Sequence, residues 1–149
     1  GGIRVPFLLS APGQVPEGEV RDQCATSMDL LPTIAALTGA ALPAATLDGR
    51  SLAPVLAAAS APPIHPSLFW AYDKWWVARQ ANWKALGDVD ANKMVLYDLA
   101  ADPGESRNVA GSNPAGVAFL VDAFSQFIEG LRTDPKVRAE YEPPPDASD

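Results

Sequence analysis

Residues 67–99 read SLFWAYDKWWVARQANWKALGDVDANKMVLYDL, and this stretch decides the fold of the second half of the chain. Four short runs of aromatic and β-branched residues alternate with polar turns, a spacing typical of antiparallel strands. The predicted strands cover Ser67–Tyr72, Trp75–Gln80, Trp83–Gly87 and Met94–Leu99, and the turns are Asp73-Lys74, Ala81-Asn82 and Asp88–Asn92. We therefore predict a four-stranded antiparallel meander.

A helix is predicted after the meander. Asn113 is a suitable N-cap, and Pro114 fits the first helical position, where an amide has no helical partner anyway. Apolar residues then recur at helical spacing, namely Val117, Leu120, Val121, Phe124, Phe127, Ile128 and Leu131. We expect this stripe to bury one face of the meander. The acidic, proline-rich end of the chain, 133–149, predicts a disordered tail.

The residues before the meander predict pieces of an α/β fold. Ile3–Ser10 is an apolar run typical of a strand buried within a sheet, and we expect the strand to begin after its proline. A buried helix is predicted to start around Ser27–Pro32 and to end at Gly39, which suits the left-handed position beyond a helix. A second short helix is predicted over Leu52–Ala58.

Composition excludes several classes of protein. The chain has 149 residues and a formal net charge of −7, and it lacks long basic runs, so nucleic-acid binding has no electrostatic support. The longest uncharged stretch, Leu30–Leu47, is interrupted by prolines and a glycine and does not predict a membrane span. The single cysteine, Cys24, excludes an internal disulfide. This leaves the compartment open, with a periplasmic or secreted location slightly favoured.

The chain contains few residues that could catalyse a reaction by themselves. The only histidine, His65, lies in a proline-rich connection, where a surface or packing role is favoured over a catalytic one. Asp98, Asp102 and Glu105 could be imagined around a hard cation, but turn residues that cap backbone amides are favoured beside Pro-Gly. No zinc-ligand spacing, P-loop or dinucleotide fingerprint occurs.

Alternation along a strand predicts that Trp75 and Trp76 point to opposite faces of the sheet. One of them would then be core and the other exposed, where it could contact a substrate. For any single tryptophan of this chain, a core position is favoured.

Several segments, taken in order, resemble the C-terminal third of the sulfatase family, within the alkaline-phosphatase-like superfamily. They are Gly1–Pro6 (GGIRVP), Pro12-Gly13 with Gly18, Ser27–Thr33 (SMDLLPT) with Gly39, Leu47–Leu52 (LDGRSL), Asn82–Lys84 (NWK), Leu96–Leu99 (LYDL), Asp102–Glu105 (DPGE) and Asn108. Each is a weak signal alone, but their common order over residues 1 to about 130 is specific.

The resemblance implies an enzyme whose key groups lie outside this chain. Sulfatases attack sulfur with a formylglycine made from the cysteine of a C-x-P/A-x-R motif, assisted by a divalent cation, usually calcium. Cys24 is followed by Ala25-Thr26-Ser27-Met28 and lacks that pattern, and Ser27 fails likewise. We expect the chain to begin just after the last catalytic lysine of the family. No catalytic or metal-binding residue is therefore carried over, and calcium and formylglycine are expected only in a longer protein.

The resemblance further implies that residues 1–60 form the terminal strand and helix of a large α/β domain. Residues 65–132 would form the small antiparallel subdomain with its packed helix. Arg4, near the expected active site, and Tyr72 and Trp75, on a loop that could rim the substrate cleft, are the candidate substrate-binding residues. An arginine paired with acidic groups is an equally good interpretation of Arg4.

The expected function is therefore the C-terminal part of a sulfuric ester hydrolase, inactive by itself. Its expected partners are a sulfate-ester small molecule or glycan and the rest of the sulfatase domain. Two alternatives stay open: a phosphonate or phosphodiester hydrolase of the same superfamily, and a non-catalytic sulfatase-like binding or structural module.

Overall fold

The computed structural model of the chain describes residues 2–88 and 93–134. The chain divides into two compact units, Gly1–Pro66 and Ser67–Asp149. None of the helices in the described ranges is long and apolar enough to cross a membrane.

The second unit is built on the predicted meander. Its strands are β1 (Leu68–Tyr72), β2 (Trp75–Gln80), β3 (Trp83–Asp88) and β4 (Lys93–Asp98). They form one antiparallel sheet in the order β1-β2-β3-β4. The two-residue connections begin at Asp73 and Ala81, whose φ angles of 52° and 47° turn the chain sharply enough to pair adjacent strands. The meander is thus confirmed. Of its third predicted turn, Asp88–Asn92, the first residue ends β3 and residues 89–92 lie outside the described ones.

The predicted helix follows and covers one face of the sheet. Asn113 Oδ1 accepts a 3.0 Å hydrogen bond from the amide of Gly116, and Pro114 opens α3, which spans Pro114–Thr133. The N-cap prediction is confirmed, since this bond satisfies an amide that has no helical partner. The predicted tail, from residue 135 onward, lies outside the described residues.

The core of the second unit lies between α3 and the sheet. The buried residues are Trp76, Ala78, Ala85, Leu96 and Leu120. The indole of Trp76 stacks on Phe124 of α3, with ring centroids 4.9 Å apart, and on its sheet side it covers Gly87. A glycine is required there because a Cβ on Gly87 would stand 2.1 Å from the indole nitrogen.

The first unit contains a short 3₁₀ turn (Ser27–Asp29) that leads into α1 (Leu30–Thr38), followed by α2 (Ala53–Ala57). Gly39 ends α1 with φ 71°, the left-handed conformation predicted for it. Both predicted helices are confirmed in position.

The predicted burial of α1 needs correction. Thr33 and Ala35 are buried, but the apolar side chains of Leu31 and Ile34 are 50% and 55% exposed. The helix therefore turns a small and partly polar face inward and leaves an apolar face uncovered in this chain.

The strand predicted over Ile3–Ser10 is not formed. A β-strand needs a neighbour for its amides and carbonyls, and the strands of the described residues all come after Pro66 and pair with one another. Val5 and Leu8 are 72% and 94% exposed, so the segment carries strand-like apolar residues without a sheet to receive them.

Candidate functional site

A buried network centres on Asp29 at the start of α1. Its carboxylate is 0% exposed. Oδ1 accepts from the amide of Arg50 and from Nε2 of His65, both at 2.8 Å, and Oδ2 accepts from the amide of Thr26 at 2.7 Å. With Thr33 these residues form what we call the Asp29 network.

The network holds Asp29 in its charged form. Burial by itself raises the pKa of Asp29, but the hydrogen bonds from the amides of Arg50 and Thr26 and from His65 outweigh burial and lower that pKa. A buried carboxylate that accepts several hydrogen bonds stabilises the fold. Removing one of its partners lowers the free energy of unfolding far more than the same change at an exposed carboxylate.

Thr33 extends the network to the segment around residue 50. Its hydroxyl donates to the carbonyl of Asp29 at 2.6 Å and accepts from the amide of Leu52 at 2.8 Å. Gly49 lies against the Met28 backbone so closely that a Cβ would stand 1.9 Å from the carbonyl oxygen. The segments SMDLLPT and LDGRSL, which are distant in sequence, thus meet through backbone and buried side-chain contacts.

Side chains elsewhere in the first unit donate hydrogen bonds to the backbone of the proline-rich connection that precedes the second unit. Arg21 donates to the carbonyls of Val55 and Leu56, and Gln23 to those of Ala59 and Ala61. Nη1 of Arg50 donates to the carbonyl of Ile64. His65 is therefore not on a loose loop, and its bond to Asp29 makes it part of the buried network.

A second pair of segments meets in the second unit through Lys84 and Glu105. Lys84 on β3 is buried, and its Nζ lies 2.7 Å from both carboxylate oxygens of Glu105. Glu105 has φ 56°, an unusual conformation for a residue with a side chain, and it belongs to the DPGE turn. Asn108 accepts from the amide of Leu96 at 3.0 Å and joins its segment to β4.

The acidic residues of this turn cap backbone amides. Asp102 accepts from the amides of Ser106 and Arg107, both at 2.8 Å, and these bonds lower the pKa of Asp102. Asp98 accepts from the amide of Ala100. The turn interpretation is confirmed for both aspartates. Within 2–88 and 93–134, no three His, Cys, Asp or Glu side chains are grouped as metal ligands would be.

The β1–β2 tip, residues Tyr72–Trp75, carries two of the three predicted substrate-binding residues. Tyr72 and Trp75 are directly paired across the strands, so their side chains share one face, and they are 83% and 50% exposed. Trp76 points the other way into the core, which confirms the predicted alternation. Nζ of Lys74 lies 5.9 Å from a ring centroid of Trp75 and 3.7 Å from Oδ2 of Asp88.

Arg4, the third candidate, is an exposed residue of the first unit. The structure thus brings Tyr72 and Trp75 together at one tip, whereas Arg4 lies in the other unit.

Sequence reasoning missed the Asp29 network and the Lys84–Glu105 pair. A local signal existed for part of the first, because Thr26 and Asp29 have the three-residue spacing of a capping box. No local signal existed for Lys84 and Glu105, which are 21 residues apart and meet only through folding.

The antiparallel meander packed by one helix, preceded by short helices, defines an α+β module, and comparison with known proteins identifies its family. Residues 1–132 match the family model described as "N-sulphoglucosamine sulphohydrolase, C-terminal". The chain belongs to the sulfatase family, in its C-terminal region.

The chain is also similar to individual proteins and to solved structures. The chain is 34% identical to human arylsulfatase A over 154 aligned residues, which cover 85% of this chain and 30% of the relative. Among solved structures, Ps i-CgsB in complex with k-i-k-neocarrahexaose shares 26% identity with a TM-score of 0.62, covering 78% of this chain and 27% of that one. The phosphonate monoester hydrolase SpPMH from Silicibacter pomeroyi shares 25% identity with a TM-score of 0.57, covering 87% and 29%. The chain thus spans less than a third of the length of these relatives.

Proposed function

We propose that this chain is the C-terminal portion of an enzyme that hydrolyses sulfate esters and that it serves as the structural frame of that enzyme. Segments that resemble sulfatase motifs meet in pairs in the folded chain, and this pairing supports the proposal. SMDLLPT meets LDGRSL through Asp29 and Thr33, and NWK meets DPGE through Lys84 and Glu105. These contacts build a fold and leave the reaction to other residues.

The nucleophile and the cation are proposed to come from the preceding part of the protein. Cys24 stands outside a C-x-P/A-x-R pattern, and the grouping of acidic, histidine and cysteine side chains in the described residues does not fit a calcium ion. The formylglycine and calcium that the family implies would lie in that other part.

The first unit is proposed to dock on the rest of the sulfatase domain. Its uncovered apolar residues include Val5, Leu8, Leu31 and Ile34. Large exposed apolar surface of this kind marks a site where another protein surface binds. Residues 1–60 would then be the end of the large α/β domain, with residues 3–10 entering its sheet.

Three residues are proposed to contact the substrate. Tyr72 and Trp75 offer exposed aromatic surface, and Arg4 offers an exposed guanidinium that can bind a sulfate oxygen through paired hydrogen bonds. The substrate is a sulfate-ester small molecule or glycan.

Activity assays test the proposal directly. The full-length protein should hydrolyse an aryl sulfate in the presence of calcium, and the 149-residue chain alone should not. Calcium-dependent turnover by the isolated chain would refute the assignment of catalysis to the preceding part. An upstream sequence without a C-x-P/A-x-R motif and paired aspartates would instead favour the non-catalytic module.

A phosphonate monoester hydrolase is the second candidate function. It is favoured by the likeness to SpPMH, which covers 87% of this chain. Parallel rates with an aryl sulfate and an aryl phosphonate separate the two, because the preferred substrate shows the larger kcat/KM.

A further inference from the structure

His65 meets Asp29 at the end of the proline-rich connection. The His65 side chain is 9% exposed, and its Nε2 lies 2.8 Å from Oδ1 of the fully buried Asp29. An ionised carboxylate can only accept hydrogen bonds, so Nε2 carries the proton of this bond and Nδ1 is the ring nitrogen that gains or loses a proton. The bond therefore exists with a neutral imidazole and becomes an ion pair when Nδ1 is protonated.

Nδ1 of His65 has access to solvent. Within residues 2–88 and 93–134, the only side-chain nitrogen or oxygen that is buried without a hydrogen-bond partner is Nε of Arg79. Nδ1 makes no hydrogen bond to this part of the chain, so it is not fully buried and can exchange its proton with water. The charge of the imidazole can therefore follow the pH of the solution while Nε2 remains bonded to Asp29.

Two charged groups from other segments meet this end of the connection. The Asp29 carboxylate bonds to the imidazole, and the Arg50 guanidinium donates to the carbonyl of Ile64 at 2.9 Å. Arg50 is exposed, so water and salt weaken its repulsion of a charged imidazole. Although burial raises the pKa of Asp29, hydrogen bonds lower it overall, so this carboxylate remains ionised in mild acid. The buried attraction between Asp29 and His65 therefore dominates.

The first part of the connection is held by bonds of another kind. Arg21 and Gln23 donate to carbonyls between Val55 and Ala61. Arginine and glutamine side chains do not change charge near neutral pH, whereas histidine does. A change of pH near neutrality therefore acts on the end of the connection and leaves its first part held.

We propose that His65 and Asp29 form a pH-dependent latch. Protonation of His65 in mild acid turns their hydrogen bond into an ion pair and tightens the end of the connection, and loss of that proton in mild alkali loosens it. Only Pro66 and Ser67 separate His65 from Leu68, where β1 begins. The latch thus sets the freedom of the residues that join the two units, and it acts independently of catalysis.

Two variants of the full-length protein fix the charge at position 65. His65→Arg carries a permanent charge, and His65→Gln keeps a hydrogen-bond donor without a charge. Hydrogen–deuterium exchange, read by mass spectrometry over residues 47–52 and 64–68, measures protection on both sides of the latch. Comparison of the three proteins at one pH cancels the intrinsic pH dependence of exchange.

The wild type should change from one variant's behaviour to the other's. At about pH 5.5 it should exchange as slowly as His65→Arg and about tenfold more slowly than His65→Gln, because a charge-assisted hydrogen bond is about twice as strong as a neutral one. At about pH 8.5 it should exchange like His65→Gln. A wild type that follows the same variant at both values overturns the latch, and so does equal exchange in all three proteins.

The wild type alone gives a second test, which does not depend on the folding of any variant. After correction for the intrinsic rate, exchange over residues 64–68 should rise about tenfold between the two pH values. Exchange over residues 53–61, which Arg21 and Gln23 hold, should not change. Equal changes in the two segments, or no change in residues 64–68, would show that no latch operates.

Discussion

Nε2 of His65 lies 2.8 Å from Oδ1 of Asp29, 36 residues away along the chain, and ties the end of the proline-rich connection to the start of α1. The same oxygen accepts from the amide of Arg50. One buried carboxylate thus fixes three separate segments of the first unit.

Removing the charge of Asp29 should destabilise the first unit. Asp29→Asn replaces one oxygen of the carboxylate with an amide nitrogen that cannot accept, so buried donors lose their partner. We expect the free energy of unfolding to fall by about 2–4 kcal/mol. Asp22→Asn, at an exposed aspartate of the same unit, should change it by less than about 0.5 kcal/mol. Denaturant unfolding measures both, and equal effects would contradict the role of the network.

The stabilisation by Asp29 should vanish in acid. Because the pKa of Asp29 is lowered in the folded chain, its contribution is complete above the ordinary aspartate pKa of about 3.9. The contribution falls as the pH drops through the lowered folded-state pKa. The stability difference between wild type and Asp29→Asn should therefore shrink below about pH 4. Asp102 also has a lowered pKa, but it is present in both proteins and cancels in the difference. A difference that stays constant from pH 7 to pH 3 contradicts this prediction.

Lys84 and Glu105 should show strong energetic coupling. Lys84→Met leaves the mostly buried Glu105 carboxylate without its ammonium, and we expect a loss of about 2–4 kcal/mol. The double variant with Glu105→Gln should cost less than the sum of the single variants, by about 1–3 kcal/mol. Lys93→Met, at an exposed lysine of the same sheet, is the control and should be nearly neutral. Additive losses would show that the pair is incidental.

Gly87 should not tolerate a side chain. Gly87→Ala places a methyl group against the Trp76 indole, which must move away from Phe124, and we expect a loss of about 1–3 kcal/mol. Gly130→Ala is the control, because it adds the same methyl group at a position on α3 where the Cβ meets open space. This substitution should raise the stability of the helix by about 0.5–1 kcal/mol. Thermal unfolding and near-ultraviolet circular dichroism of the tryptophans report the two effects. A neutral Gly87→Ala contradicts the close packing of Trp76.

The sequence predicts what depends on neighbouring residues. Alternation and turn residues specify the meander, and Asn113-Pro114 specifies the start of α3, because those signals act within a few residues. The exposure of Trp75 beside a buried Trp76 follows from the same two-residue period.

The rest depends on residues brought together from a distance. The sequence around Asp29 gives no sign that this aspartate is fully buried. Its carboxylate can be buried because donors at residues 26, 50 and 65 satisfy its oxygens. The segment Ile3–Ser10 has the composition of a strand, yet composition cannot supply a neighbouring strand. For the same reason, the sequence identifies Tyr72 and Trp75 as candidates but not the lysine and buried aspartate that support them.

The hydrogen bonds that hold the proline-rich connection determine where the chain can be divided into separate products. Carbonyls from Val55 to Ile64 are held by arginine and glutamine side chains of the first unit, and His65 adds the last bond. An engineer who wishes to produce the sheet and its helix alone should therefore cut between Pro66 and Ser67. A cut at residue 60, where the proline content suggests a hinge, would separate the carbonyls of Ala61 and Ile64 from their donors and His65 from Asp29.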